Sequence, residues 1–221
     1  MQIQTTQIMF PDISLHPHYA HKLRGYFGNL FKEKSPLLHN HYESGELRYA
    51  YPLVQYKIID SVPMLLGINE GAELLIELFL KIKELQLEDE KFPIYSKNIT
   101  NKITEIGVSN DLIQYKFKTM WMGLNQNNFS KYINLLPGKE KEEFLNKILI
   151  GNILSFCKGI NFRLDEQLYA KVKVAEKTSA FKNKRMTVFA GGFLTNAILP
   201  DYIGLGKAVS RGFGAIKTNS P

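Results

Sequence analysis

The chain has 221 residues, 44% of them hydrophobic and 12% aromatic, which is enough apolar material to close one sizeable core or two small ones and excludes a disordered chain. Its single cysteine, Cys157, excludes internal disulfides and multi-cysteine zinc sites and fits a reducing compartment. The first ten residues show neither a basic nor an apolar leader, no window approaches ~18 uninterrupted apolar residues, and mean hydropathy is −0.18; a soluble, cytoplasmic protein with no membrane partner is expected.

Residues 2–10 alternate as a strand. A helix is predicted over 18–31, with Pro17 at its first turn and Ala20, Leu23, Phe27 and Leu30 as a buried stripe at spacings of three and four. Tyr19, Lys22, Tyr26 and Asn29 fall on a neighbouring face. A loop over 32–45 carries His39 and His41. Strand-like runs at 53–59 and 63–68 flank Asp60 and Ser61. A second helix is predicted over 70–85, with Leu75, Leu78, Phe79 and Ile82 inward, and then a strand over 99–108. The order β-α-β-β-α-β is that of the ferredoxin-like split unit. Asn110 and Asp111 mark a break.

The second half opens on a strand with Ile113, Tyr115 and Phe117 on one face. One or two helices follow, the clearer at 140–156. Leu168, Ala170, Val172 and Val174 then alternate with Tyr169, Lys171 and Lys173, giving a strand with one wet, basic face. Residues 185–193 read as its hairpin partner, with a polar connection over 176–184. The fold class is therefore α+β, with two tandem ferredoxin-like domains, 1–110 and 111–221.

Charge separates the halves. Residues 1–110 hold 11 Lys and Arg against 13 Asp and Glu, whereas residues 111–221 hold 17 against 8. Positive charge crowded into one region raises the local concentration of polyanions, nucleic acids among them; the plainer alternative is a solubilising surface. Within that region, residues 199–217 read LPDYIGLGKAVSRGFGAIK, with Gly204, Gly206, Gly212 and Gly214 around Lys207 and Arg211. Two phosphate loops are excluded by position: a dinucleotide-binding GxGxxG needs glycine at Val209, and a P-loop needs glycine at Asp201.

GxG, five residues, then GxG near the C-terminus, after a basic hairpin, resembles the glycine-rich loop of CRISPR-associated endoribonucleases that process repeat RNA, members of the RAMP superfamily. The element order and the histidines after the first helix extend the resemblance. It implies a metal-independent endoribonuclease, without a cofactor, whose partner is CRISPR repeat RNA, with other CRISPR effector proteins and a second copy of the chain as further partners. Lys171, Lys173, Lys184 and Arg185 on the hairpin project together and can track a phosphate backbone, a solvated edge strand being the plainer alternative; Lys207 and Arg211 with the four glycines are the RNA-binding candidates of the terminal loop.

All five histidines precede residue 42. His16, His18 and His21 lack the carboxylate spacing of a recognisable zinc site and read as surface or helix-terminal residues. RNA can be cut without metal when a base takes the 2′-hydroxyl proton, an acid protonates the departing 5′-oxygen, and positive groups hold the phosphorane. Histidine suits the base, because its ordinary pKa of about 6.5 allows both protonation states near neutrality. The resemblance carries the catalytic roles to His41 or His39 and to Tyr26. Spacing does not choose between the histidines. The family's lysine has no counterpart between His41 and Tyr56, leaving Arg48 or Lys22 to supply the cation. A non-catalytic RNA-binding module of a CRISPR ribonucleoprotein is the alternative, and an enzyme acting on small phosphate ligands is a third reading.

Overall fold

Residues 1–31, 37, 51–181 and 184–219 are described by the structure, a computed structural model. The chain forms two units. The first comprises Gln2–Thr104 and Val209–Gly212; the second comprises Met1, Glu105–Ala208 and the chain from Phe213 onward.

The first unit holds β1 (Gln2–Met9), α1 (Ala20–Leu30), β2 (Val54–Ile59), β3 (Val62–Ile68), α2 (Glu70–Phe79), the hairpin β4 (Glu84–Leu87) and β5 (Glu90–Pro93), and β6 (Asn98–Glu105). Its main sheet runs β2-β3-β1-β6, the ferredoxin-like order, with each crossover helix skipping over one strand. Asp60 and Ser61 turn between β2 and β3 with φ of 50° and 68°, as a two-residue primed turn requires. A single 3-10 turn, Pro17–Tyr19, leads into α1, with the His16 side chain accepting from the His18 N–H at 3.3 Å. Gly25 and Gly28 both weaken α1 by propensity, by ~1 kcal/mol each relative to alanine, so tertiary packing must hold it. Phe27 supplies that packing. Its ring stacks on Phe10, Phe31 and Tyr56 at centroid distances of 6.4, 6.4 and 5.8 Å.

The second unit holds β7 (Gly107–Phe117), α3 (Gln126–Tyr132), α4 (Lys139–Gly159), β8 (Ala170–Phe181), β9 (Lys184–Ile198) and β10 (Ile216–Thr218), with sheet order β10-β7-β9-β8. The same strand order recurs, but the glycine-rich segment occupies the place of the second crossover helix. Leu145, Leu149, Ile153 and Phe156 form the buried stripe of α4. Trp121 is fully buried, stacked on Phe117 at 5.3 Å, and its indole N–H donates to Asn152 Oδ1 at 3.0 Å.

Several local expectations change. Leu30 is 47% exposed and Phe31 takes the inward position instead. The helix expected over 70–85 stops at Phe79; Leu85 and Leu87 still reach the core, but from β4, where pairing with β5 outweighs the helical spacing. Asn110 and Asp111 lie inside β7, where pairing with β9 shifts register between Val108 and Ile113. The polar stretch after Val174 continues the strand, since β8 and β9 pair from Ala170–Thr195 out to Phe181–Lys184.

Lys57, in β2, opposes Met64 on β3 and alternates with Tyr56 and Ile58, which face the helices. It is fully buried, its Nζ has no hydrogen-bond partner, and burial pushes its pKa down to about 7. An unfolded lysine titrates near 10.4. Between the two values the unfolded chain holds a proton that the folded chain lacks, so stability rises with pH across that window. Lys57→Met, which keeps the aliphatic stem, should stabilise the protein by about 2–4 kcal/mol near pH 7 and flatten this rise. Denaturant unfolding at pH 7 and pH 9 measures both effects; equal pH slopes for the two proteins would refute a depressed lysine.

Candidate functional site

In the first unit, α1 sends one row of side chains outward at fourfold spacing. Lys22, Tyr26 and Leu30, with Asn29, line an open groove of about 540 Å³ completed by Gln86 and Glu88 of the β4–β5 hairpin. Lys22 Nζ lies 2.6 Å from Glu88 Oε2 and 4.2 Å from the centre of the Tyr19 ring. The carboxyl pKa of Glu88 falls chiefly because Lys22 donates a hydrogen bond to it. The Tyr26 hydroxyl donates to the Glu84 carbonyl at 2.9 Å. Burial, and secondarily Glu84, raises its pKa, so it stays protonated near neutrality.

His16, His18 and His21 gather before and within the first turn of α1. The His16 and His18 Nδ1 atoms are 2.7 Å apart, and His21 Nδ1 lies 2.6 Å from the His18 carbonyl. Burial, then His16, lowers the His18 pKa. Among the described residues no group of three or more His, Cys, Asp or Glu side chains is placed to hold a metal ion. His39, His41 and Arg48 lie outside the described residues.

The glycine-rich segment is divided between the units. In the second, Gly204 bridges Ala215. The Leu205, Lys207 and Gly214 amides donate to the Gly214, Met122 and Met120 carbonyls at 2.9, 2.8 and 2.8 Å. These three amides are engaged by the chain's own carbonyls. At Gly206, with φ +94°, a Cβ would sit 2.9 Å from Trp121 Nε1; glycine serves a close approach to the protein itself. Lys207 is exposed.

The residues Val209–Gly212 belong to the first unit. Arg211 bridges Tyr56 of β2 in parallel fashion. Gly212 has φ +94°, and a Cβ there would lie 2.6 Å from the Ala20 methyl and 3.5 Å from the Tyr56 carbonyl. Across this crossing Arg211 acts as a like charge on Arg24, a residue the sequence did not single out. Arg24 is half-buried; burial first and Arg211 second lower its pKa. No spacing rule could have found the pair, because its members meet only through the long-range path of the chain.

In the second unit the expected basic hairpin forms. Lys171 and Lys173 are exposed on one face of β8, Arg185 is exposed on β9, and the Lys184 backbone pairs with Phe181.

Residues 1–105 match the model of the Cas6b N-terminal domain, and residues 107–219 match that of the Cas6b C-terminal domain. The chain belongs to the Cas6b family. It is 37% identical, over 63% of its length and 95% of the relative's, to an uncharacterized protein of Methanocaldococcus jannaschii. A crystal structure of Cas6b is 35% identical with a TM-score of 0.93, covering 99% of this chain and 100% of that one. A crystal structure of the CRISPR RNA processing endoribonuclease Cas6b is 33% identical with a TM-score of 0.80, at the same coverage. The tandem ferredoxin-like fold is thus the fold of this family. No helix among the described residues is long and apolar enough to cross a membrane.

Two glycines separate crowding from freedom. Gly25 sits in α1 with nothing within 4 Å of an added Cβ, so Gly25→Ala should stabilise the protein by about 0.5–1 kcal/mol. Gly212→Ala should destabilise it by about 1–3 kcal/mol, through both positive φ and contact with Ala20. Chemical unfolding of the two variants against wild type tests this; a neutral Gly212→Ala would mean that the crossing is loose.

Proposed function

We propose that this protein cleaves CRISPR repeat RNA by attack of a ribose 2′-hydroxyl on the adjacent phosphate, without a metal ion, leaving a 2′,3′-cyclic phosphate and a 5′-hydroxyl. The observation that carries the proposal is a likeness over essentially the whole chain, at 33% identity, to a CRISPR RNA processing endoribonuclease. The basic second unit supports it, since exposed Lys171, Lys173 and Arg185 on a hairpin suit a phosphate backbone.

In this reading His41 is the base, with His39 two positions before it, across Asn40. Tyr26 is the proton donor. Its raised pKa keeps the proton available at neutrality, and the bond to the Glu84 carbonyl aims the hydroxyl until RNA displaces it. Lys207 and Arg211 hold the strand, while Gly204, Gly206, Gly212 and Gly214 shape the segment that presents them. The domains divide the labour: residues 1–110 carry the chemistry and residues 111–221 most of the grip. Repeat RNA is the partner; other CRISPR effector proteins and a second copy of the chain join it in the assembled system.

Repeat RNA incubated in EDTA should be cut, and end-group analysis should show the cyclic phosphate. The His39→Ala/His41→Ala double variant should lose at least ~10²-fold in single-turnover rate while still binding RNA, in line with the usual contribution of a general base. Persistent cutting by that variant would discard the histidine mechanism. Wild-type protein that binds repeat RNA and never cuts it would establish the non-catalytic module instead.

Tyr26→Phe separates chemistry from support. A proton donor lost in this way should lower the single-turnover rate by ~10²-fold with little change in RNA affinity. A fall below ~3-fold would assign Tyr26 to holding β4 against α1, as one ordinary hydrogen bond would.

A further inference from the structure

The groove of the first unit has a wall that the cleavage chemistry leaves unused. Tyr26 and Leu30 stand one turn apart on the same face of α1, and Leu30 is 47% exposed there because Phe31 takes the inward position. An aliphatic side chain and the flank of an aromatic ring thus line one side of a cleft of about 540 Å³, a size that suits a small ligand. Its charge is already balanced. Lys22 Nζ binds Glu88 Oε2 at 2.6 Å, so an anion gains little in this place. The Tyr26 hydroxyl is bonded to the Glu84 carbonyl. The carboxamides of Asn29 on α1 and Gln86 on β4 are left over; both side chains are exposed on the groove, and neither is spent on another described residue.

A carboxamide presents an N–H donor and a carbonyl acceptor side by side, which is why Asn and Gln pair bidentately with adenine. Among the RNA bases only adenine sets an amino group between two ring acceptors, so N6 with N7 and N6 with N1 make two complementary edges. Cytosine and guanine flank their amino group with one ring acceptor each, and uracil has no amino group. Two carboxamides on different elements match the two edges of adenine. The apolar wall suits the face of a planar base, and proteins hold unpaired RNA bases by such faces and edges.

We propose that this groove holds one unpaired adenine of the RNA, read on its two edges by Asn29 and Gln86, with Tyr26 and Leu30 against its face. The proposal rests on the RNA-cleaving reading and deepens it, because it names a base that the enzyme selects beside Tyr26. A free adenine nucleotide shares the same chemistry, and the test tells the two sources apart.

The test uses the full chain with repeat RNAs in which each adenine in turn is replaced by purine riboside, which lacks N6, or by 7-deazaadenine, which lacks N7; the other bases are replaced one by one with abasic sites. At one adenine, purine riboside should weaken wild-type binding about tenfold, in line with a bidentate base contact, and 7-deazaadenine should weaken it less, since the N1 edge survives. In the Asn29→Ala/Gln86→Ala double variant that purine riboside penalty should vanish, as a shared contact in a mutant cycle requires. Asn29→Asp and Gln86→Glu keep the acceptor for N6 but lose the N–H that N7 or N1 needs. One of them should therefore erase the 7-deazaadenine penalty and keep the purine riboside penalty; these variants carry the comparison if an alanine variant unfolds. A purine riboside penalty at no position, or one of equal size in wild type and double variant, would overturn the adenine pocket, while continued cutting keeps the nuclease reading. An abasic penalty that vanishes in the double variant only at a guanine, cytosine or uracil would overturn the choice of base. Wild-type protein that neither binds nor cuts repeat RNA would overturn the nuclease reading and the RNA pocket together. Adenosine monophosphate that shifts the Asn29 and Gln86 side-chain amide signals of that wild type in an NMR titration would then assign the groove to a free nucleotide.

Discussion

The side chains that α1 turns outward are aimed by the way the helix sits on its sheet, and that seat is aromatic. Phe27 is buried among Phe10, Phe31 and Tyr56. Burial of one such ring contributes roughly 1.5–3 kcal/mol, enough to offset the two glycines within the helix. Rotation about the helix axis is the freedom that this stacking removes. With Phe27 fixed inward, Lys22 and Tyr26 must face the groove, and Arg24 must face the strand that receives the returning segment. A leucine of similar volume would fill the space without setting the angle, because stacked planes have a preferred orientation and aliphatic packing has a weaker one.

The cations divide by environment. Lys171, Lys173 and Arg185 project from a long hairpin into solvent, where salt screens them within ~10 Å and their summed field attracts a polyanion without choosing its register. Arg24 is half-buried, with a neighbour of the same sign. A charge there is less screened and more demanding in geometry than one on the exposed hairpin.

Much of this architecture is legible in the sequence because it is periodic. Alternation in β1, β7 and β8 and the three-and-four spacing in α1 and α4 reflect one buried face each, and one face is all that periodicity reports. Reading failed where two periods coincide or where the partner is remote. Ile82 and Leu85 fit a helix by spacing, yet Leu85 pairs across a hairpin with Phe92. Leu30 satisfies the α1 stripe, but the helix ends there and Phe31 turns inward. The lysines and threonines after Val174 resemble a loop by composition, although they extend a strand whose exposed rungs need no apolar side chains. In the candidate site, Tyr26 and Arg211 were visible as residue types in suggestive surroundings. Arg24 was not, since nothing local distinguishes it from any arginine on a helix flank. The glycines were visible too, but not the crowding that two of them relieve: an added Cβ at Gly206 or Gly212 would press on Trp121 or Ala20.

The dual membership of the glycine-rich segment bears on how the protein comes into being. Val209–Gly212 belongs to the unit whose other residues end at Thr104. At ordinary elongation rates the ribosome needs about 5–20 s to synthesise the intervening stretch. During that interval α1 and β2 lie without the strip that later covers them, and the nascent first unit waits, sheet formed and one tile missing, for a segment still to be translated.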